Sequence, residues 1–134
     1  MRSPLRSCAV ALALLAATAC HSDATGPGHG LLAGTWSLSS VSGRGPVTGS
    51  LLLSPAGGAE RRVRYYQATG SPESVARGTY RLRNDGTIDL QLRENDGRSE
   101  YVWRPFARVA GGSVEIRHPD PADGPDIVET YSRM

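Results

Sequence analysis

The sequence has no lysine, little cysteine, histidine or phenylalanine, and no apolar run long enough to cross a bilayer. Its 134 residues include two cysteines, three histidines and one phenylalanine. The apolar stretch from Ala9 to Ala19 is far shorter than the roughly 20 residues of a membrane-spanning helix. The spacing of Cys and His lacks the paired ligands of a zinc site. A retained transmembrane helix and a zinc protein are therefore not expected.

The beginning of the chain has the three-part plan of a signal peptide. Arg2 and Arg6 precede the apolar stretch, and small residues lead to Cys20. The segment Leu15-Ala16-Ala17-Thr18-Ala19-Cys20 resembles the lipobox of bacterial lipoproteins, with its leucine two residues further from the cysteine than usual. We therefore predict a signal peptide over residues 1–19 and a lipid on Cys20. The alternative is an ordinary secreted protein with a free Cys20 thiol.

Cysteine usage agrees with the lipoprotein interpretation. Cys8 would leave with the signal peptide, so Cys20 alone remains and no intramolecular disulfide can form. Two or more acyl chains such as palmitate anchor a protein stably, which makes the membrane the first expected partner. By family analogy, His21 after the acylated cysteine favours the outer membrane facing the periplasm over the inner membrane. The expected location is the cell envelope.

The charge of the mature chain argues against nucleic acid as a partner. Loss of Arg2 and Arg6 leaves 13 arginines against 13 acidic residues. A balanced charge offers no basic footprint for phosphates.

Composition divides the remaining chain into a tether and one domain. After Cys20 the polar, Gly-rich sequence HSDATGPGHG has the composition of a flexible linker, which we place at residues 20–31. Residues 32–134 are long enough for one modest core. They alternate short runs rich in Val, Ile, Leu, Tyr and Trp with Gly, Pro, Asn and Asp, a pattern typical of an all-β sandwich or barrel.

We predict eight strands that pair antiparallel with their neighbours, because no long crossover separates them. Their bounds are Gly34–Val41, Thr48–Ser54, Glu60–Gln67, Val75–Arg83, Thr87–Arg93, Arg98–Arg104, Ser113–Arg117 and Ile127–Arg133.

Turn chemistry fixes the register in the middle of the chain. The loop Asn84-Asp85-Gly86 has glycine at the left-handed position and sets Leu82 opposite Ile88, Tyr80 opposite Leu90, and Arg81 opposite Asp89. A four-residue turn over 94–97 sets Leu90 opposite Tyr101 and Ile88 opposite Trp103. The predicted inward side chains are Trp36, Leu38, Leu51, Leu53, Val63, Tyr65, Tyr80, Leu82, Ile88, Leu90, Tyr101, Trp103, Val114 and Ile116.

Residues with reactive side chains form no convincing catalytic or metal constellation. His118 is the one histidine of the domain, and we expect it on the surface in a loop. Asp120, Asp123 and Asp126 are spaced as in a turn more than as calcium ligands. Arg61, Arg62 and Arg64 could meet an anionic group, but charged strand faces also guard against aggregation. The sequence therefore predicts neither an enzyme nor a bound metal or cofactor.

The segment Leu32-Ala33-Gly34-Thr35-Trp36-Ser37-Leu38 resembles the opening of the lipocalin and fatty-acid-binding (calycin) superfamily. The resemblance implies a small, closed, up-and-down barrel of eight antiparallel strands. It also implies that Trp36 closes one end under an arginine near the last strand, for which Arg133 is the candidate. The chain is shorter than either group and looks more like the lipocalin-like domains of small bacterial envelope lipoproteins.

Two functions follow from this interpretation. The first is a membrane-anchored module that binds a small apolar or amphipathic ligand, with Tyr65, Tyr80, Tyr101 and Trp103 as ligand-binding residues. The alternative is a structural, interaction or inhibitor protein of the envelope whose barrel is filled by its own side chains. An eight-stranded barrel permits both, since its interior is filled by side chains or holds one small ligand. A cavity of about 300 Å³ or more would favour the first.

Overall fold

The structure is a computed structural model that describes residues 27–43, 47–65, 73–95, 99–120 and 122–134, without the side chains of residues 27, 28 and 65. The predicted signal peptide, Cys20 and most of the tether lie outside these residues. The elements are α1 (Pro27–Leu32), β1 (Gly34–Val41), β2 (Val47–Leu53), β3 (Gly58–Tyr65), β4 (Glu73–Leu82), β5 (Thr87–Asn95), β6 (Glu100–Trp103), β7 (Phe106–Ala110), β8 (Ser113–His118) and β9 (Ile127–Arg133).

The strands form a closed antiparallel barrel. Each pairs with its neighbour in sequence except β6 with β7, and β9 returns to pair with β1. β6 and β7 together make one stave, because both pair with β5 and are separated only by Arg104 and Pro105. Proline cannot donate to a ladder, so Pro105 interrupts the strand. The prediction of an eight-stranded antiparallel barrel is confirmed, although β7 was missed.

The two ends of the barrel differ. At one end, here called the helix end, α1 covers the lumen and the connections 54–57, 83–86 and 111–112 join the strands. At the opposite end, here called the far end, β1, β3, β5 and β8 end and β2, β4, β6 and β9 begin. The register places the start of β1 and the close of β9 together at the helix end.

Helix α1 differs from the prediction of an unstructured linker up to residue 31. Pro27 suits the first turn of a helix because its missing N–H needs no partner there. The helix is held in place by Leu32, which is 4% exposed, and by His29, whose Nε2 lies 3.1 Å from the carbonyl oxygen of Tyr80. Tertiary contact therefore orders a segment whose composition alone is that of a linker.

One predicted register is confirmed and the other is wrong. β4 and β5 pair as expected, with Leu82 opposite Ile88 and Tyr80 opposite Leu90. β5 and β6, however, place Trp103 opposite Leu92, because β5 continues to Asn95 and the turn is not the expected 94–97. The shift is an even number of residues, so it leaves each side chain on its predicted face.

The same shift changes which inward side chains are buried. Tyr101 lies opposite Glu94 at the far end and is 46% exposed, so its prediction as a core residue is wrong. Asp89 lies opposite Arg81 in the register, but its carboxylate pairs with Arg83, at 2.7 Å. The predicted inward residues that are buried are Trp36, Leu51, Leu53, Val63, Tyr80, Ile88, Leu90, Val114 and Ile116. Those that are partly buried against the core are Leu38, Leu82 and Trp103.

At Gly78 the backbone of β5 comes too close to β4 to leave room for a side chain. A Cβ atom built on it would lie 1.8 Å from the backbone oxygen of Gln91, a distance that only a backbone shift can relieve. We expect Gly78→Ala to lower the free energy of unfolding by about 1 to 3 kcal/mol, measured by urea denaturation. Gly30→Ala is the control, since nothing lies within 4 Å of its Cβ. Equal effects of the two substitutions would contradict this account.

Candidate functional site

The far half of the lumen contains a buried ion pair. Strand alternation turns Arg61 inward with Ala59 and Val63 on β3, and Glu129 inward with Ile127 and Tyr131 on β9. The two residues are 3% and 0% exposed. Arg61 is therefore not part of the exposed basic cluster that the sequence suggested.

The ion pair crosses the barrel. β3 and β9 are separated in the sheet by β2 and β1, so the two side chains meet inside the lumen. Arg61 Nε donates to Glu129 Oε2 at 2.8 Å, and Arg61 Nη2 donates to Glu129 Oε1. A bidentate guanidinium–carboxylate contact fixes orientation as well as distance. The pair links two distant staves of the barrel.

Aromatic and imidazole rings surround this pair. The Arg61 Cζ atom lies 5.3 Å from the centroid of the Trp103 ring, within the range of a cation–π contact. The Tyr131 hydroxyl donates to Glu129 Oε2 at 2.8 Å. His118 places Nε2 3.2 Å from Glu129 Oε1 and packs edge-on against Trp103, with centroids 5.7 Å apart.

The expectation that His118 is a surface loop residue is wrong. It is the last residue of β8, on the same face as Val114 and Ile116, and its side chain is 15% exposed. The sequence could have predicted this position, because the inward alternation of Val114 and Ile116 continues to His118, two residues further on.

The charge state of Glu129 follows from its partners. Burial alone would raise the pKa of Glu129, but hydrogen bonds from Arg61 and His118 and the positive charge of Arg61 outweigh it. The pKa of this carboxyl therefore lies well below its ordinary value of 4.5. Glu129 is ionised in the folded protein at neutral pH.

This shift predicts acid sensitivity. A carboxyl with a lowered folded-state pKa contributes stability that is complete above the unfolded value, near 4.5, and is lost as the pH falls from there towards the folded value. We expect urea unfolding to show a steeper loss of stability between pH 5 and pH 3 in the native chain than in the double variant Arg61→Met, Glu129→Met. Exposed carboxylates titrate equally in both proteins, so parallel pH profiles would show that the buried pair is not the cause.

Polar contacts continue from the ion pair to the far-end rim. Arg61 Nη1 lies 3.5 Å from Ser74 Oγ, and the Ser74 hydroxyl donates to Glu94 Oε1. The Tyr101 hydroxyl donates to Glu94 Oε2 at 2.8 Å. The indole Nε1 of Trp103 is buried and has no hydrogen-bond partner among the described residues. A connected polar network therefore reaches from the lumen to the surface.

The four predicted ligand-binding residues do not share one site. Tyr101 and Trp103 lie towards the far end. Tyr80 is 3% exposed, and its hydroxyl donates to the carbonyl oxygens of Ser54, at 2.8 Å, and His29, at 3.1 Å, at the helix end. The side chain of Tyr65 is not among those that the structure describes.

At the helix end, Trp36 and Arg133 lie together. Trp36 is 3% exposed, and its Nε1 donates to the carbonyl oxygen of Leu32 at 2.9 Å. The Arg133 Cζ atom lies 4.6 Å from the Trp36 ring centroid, and its Nη1 donates to the carbonyl oxygen of Ala33 at 3.2 Å. Indole and guanidinium together connect α1 to the first and last strands.

The other charged groups noted in the sequence lie on the outside. Arg62 pairs with Glu60 at 2.6 Å, and Arg64 lies 3.9 Å from Glu73, so acids accompany this basic pair. Asp120 Oδ1 accepts a hydrogen bond from the backbone N–H of Ala122 at 2.9 Å. Among residues 27–134, apart from the segments not described, no three His, Cys, Asp or Glu side chains converge as metal ligands.

Of the grooves outside the lumen, two lie beside exposed large hydrophobic side chains. A groove of about 510 Å³ runs along the outer face of β4, β5 and the β6–β7 stave, where Arg81, Gln91 and Phe106 line it. A second, of about 440 Å³, lies at the helix end between Leu31, Trp36 and Val109. The described side chains of the core and of the polar network lie inside the lumen.

Comparison with known proteins identifies no relative. No family model, curated protein or solved structure matches this chain. Within the described part of the chain, no helix has the length and apolar character to cross a membrane.

Proposed function

We propose that this chain is a lipid-anchored protein of the cell envelope, whose filled barrel is a rigid scaffold that acts through its outer surface. The anchor is proposed from the sequence, in which Arg2, Arg6 and an apolar stretch precede Cys20. The lipid would hold the protein at a membrane, with the outer membrane facing the periplasm as the proposed location.

The observation that carries the scaffold proposal is the occupied lumen. The Arg61–Glu129 pair crosses the far half of the barrel, and Trp36, Leu53 and Tyr80 fill the helix end. Arg61 and Glu129 are already engaged with each other, so a charged ligand would have to break a buried ion pair, which is costly. An unoccupied lumenal cavity is the feature that a small-molecule carrier needs.

The outer surface offers the means of contact with an envelope protein. Val102 and Phe106 are 44% and 52% exposed on the β6–β7 stave, and Phe106 lines the groove of about 510 Å³. Aromatic side chains beside arginines, such as Arg104, are typical of the energetically important part of protein interfaces. A catalytic function is not part of the proposal.

A second candidate is a module that binds a small amphipathic ligand at the far end. One observation favours it: Trp103 buries an indole N–H without a partner among the described residues, and the exposed Tyr101 belongs to the same stave. A buried donor without a partner is costly, and a ligand oxygen would satisfy it.

Mass spectrometry of the mature protein, purified in detergent from its own host's membranes, tests both candidates. We expect the intact mass of residues 20–134 plus acyl groups, and no other small molecule at one per chain after lipid extraction. The Cys20→Ala precursor is the control and should carry no acyl mass. An unmodified Cys20 would overturn the anchor, and a stoichiometric second molecule would replace the scaffold proposal with the second candidate.

A further inference from the structure

We infer that the helix end of the barrel lies against the membrane that holds the lipid, with Leu31 and Met134 in contact with the lipid surface and the far end pointing away. The inference rests on the proposed lipid anchor at Cys20. It adds to that proposal an orientation and an interaction surface, the partner being the bilayer itself.

The first step is the reach of the chain between lipid and barrel. Seven Cα–Cα steps separate Cys20 from Pro27, and at about 3.6 Å per residue they span at most about 25 Å. Pro27 begins α1, which is fixed at the helix end by the hydrogen bonds of His29 and Trp36. The lipid therefore enters the bilayer within about 25 Å of the helix end.

The second step is the height of the barrel. β4 is the longest strand, Glu73–Leu82, and at about 3.3 Å per residue and a tilt of about 40° it rises about 25 Å along the barrel axis. To bring the far end to the bilayer, the linker would have to run fully extended along the whole wall. A membrane contact at the helix end requires no such extension.

The third step is the chemistry of the helix end. Leu31 and Met134 are 72% and 82% exposed, more than any other large hydrophobic side chain among the described residues. Both lie at this end: Leu31 belongs to α1, and the Met134 N–H donates to the carbonyl oxygen of Thr35 at 3.2 Å. Between α1 and the strand ends lies the groove of about 440 Å³, with Leu82 and Val109 in its wall. Exposed apolar groups around such a groove suit the boundary of headgroups and acyl chains.

The orientation also decides which surface other molecules meet. β1, β3, β5 and β8 end at the far end, where β2, β4, β6 and β9 begin. With the helix end on the bilayer, these strand ends and the rim residues Glu94 and Tyr101 face away from the membrane. Partners of the proposed scaffold would then approach from the far end and the sides.

Site-directed labelling of the lipidated protein tests the orientation. The mature chain has no cysteine other than Cys20, whose sulfur the lipid occupies, so a single added cysteine can carry a fluorophore. Asn84→Cys at the helix end and Ala122→Cys at the far end are matched positions, because both are exposed residues in turns. Each labelled protein is reconstituted in vesicles of phosphatidylethanolamine and phosphatidylglycerol that contain a nitroxide-headgroup lipid.

We expect nitroxide lipid to quench the label at position 84 at least about threefold more than the label at position 122. Leu31→Ser should reduce the quenching at position 84, whereas Val102→Ser, on the outer wall of the β6–β7 stave, should not. Equal or reversed quenching in protein whose mass shows the lipid on Cys20 would overturn the orientation and leave the anchor intact. A mass without lipid would instead overturn the anchor, and the orientation with it.

Discussion

Replacing Glu129 with Gln is expected to lower the free energy of unfolding by about 3 to 5 kcal/mol, because it leaves the Arg61 guanidinium buried without a compensating charge. Arg61 is 3% exposed, so water cannot replace the lost carboxylate. Glu129→Gln keeps the size of the side chain, which separates the loss of charge from the creation of a cavity. Urea denaturation at pH 7, with circular dichroism as the signal, measures the effect.

Two controls define what this loss means. Glu115→Gln breaks the pair between Arg108 and Glu115, whose atoms lie 2.7 Å apart on the outer face, and should cost less than about 1 kcal/mol because exposed pairs are screened by solvent. The double variant Arg61→Met, Glu129→Met removes both charges and should recover most or all of the lost stability. A single variant as stable as the native chain would show that the lumen at Glu129 is hydrated.

If the double variant is at least as stable as the native chain, the ion pair makes no net contribution to the free energy of unfolding. A pair that joins β3 to β9 across the lumen would then serve to hold the barrel in one arrangement, or to support the rim through Ser74 and Glu94. In that case we expect the double variant to be as stable as the native chain but to bind its protein partner less tightly.

The local pattern of the sequence was enough to predict most of the strands and their antiparallel pairing, whereas the closed eight-stranded barrel was what the resemblance at residues 32–38 implied. Alternation in β5, where Ile88, Leu90 and Leu92 are buried between polar neighbours, gave the inward face, and the loop ending at Gly86, with φ +84°, gave the register. Both depend on residues that are close in the chain. The β5–β6 register was wrong because the strand pairing extends to Asn95 opposite Glu100, into the segment 94–97 that was predicted as the turn. Alternation did not reveal the error, because a shift by an even number of residues leaves every side chain on the same face.

The candidate site was harder to predict from the sequence than the strands, because its residues are far apart in the chain. Arg61 and Glu129 lie 68 residues apart in sequence, and without the closed ring nothing indicates that they meet. The alternation rule applied to Val63 nevertheless turns Arg61 inward, and an inward arginine in a small barrel requires a partner. The sequence analysis did not apply this rule to Arg61, because Arg61 stands beside Arg62 and Arg64 and was grouped with them as one exposed basic cluster.

Removing the indole at the helix end is expected to have an effect of similar size. Trp36→Ala should lower the free energy of unfolding by about 3 to 5 kcal/mol, because it empties the volume of a side chain that is 3% exposed. It also removes the hydrogen bond to the carbonyl oxygen of Leu32 and the ring beneath Arg133. Urea denaturation again gives the magnitude.

Smaller substitutions separate these contributions. Trp36→Phe keeps an aromatic ring and loses the N–H donor, so it should cost about 1 to 2 kcal/mol, and Arg133→Met should cost about 1 kcal/mol for the cation–π contact. Amide exchange supplies an independent measurement, since the Ala33 N–H donates to the carbonyl oxygen of His29 at 2.9 Å and should lose protection once α1 no longer packs on an indole. A loss below about 1 kcal/mol in Trp36→Ala, with Ala33 still protected, would mean that α1 and the strands close the barrel without Trp36.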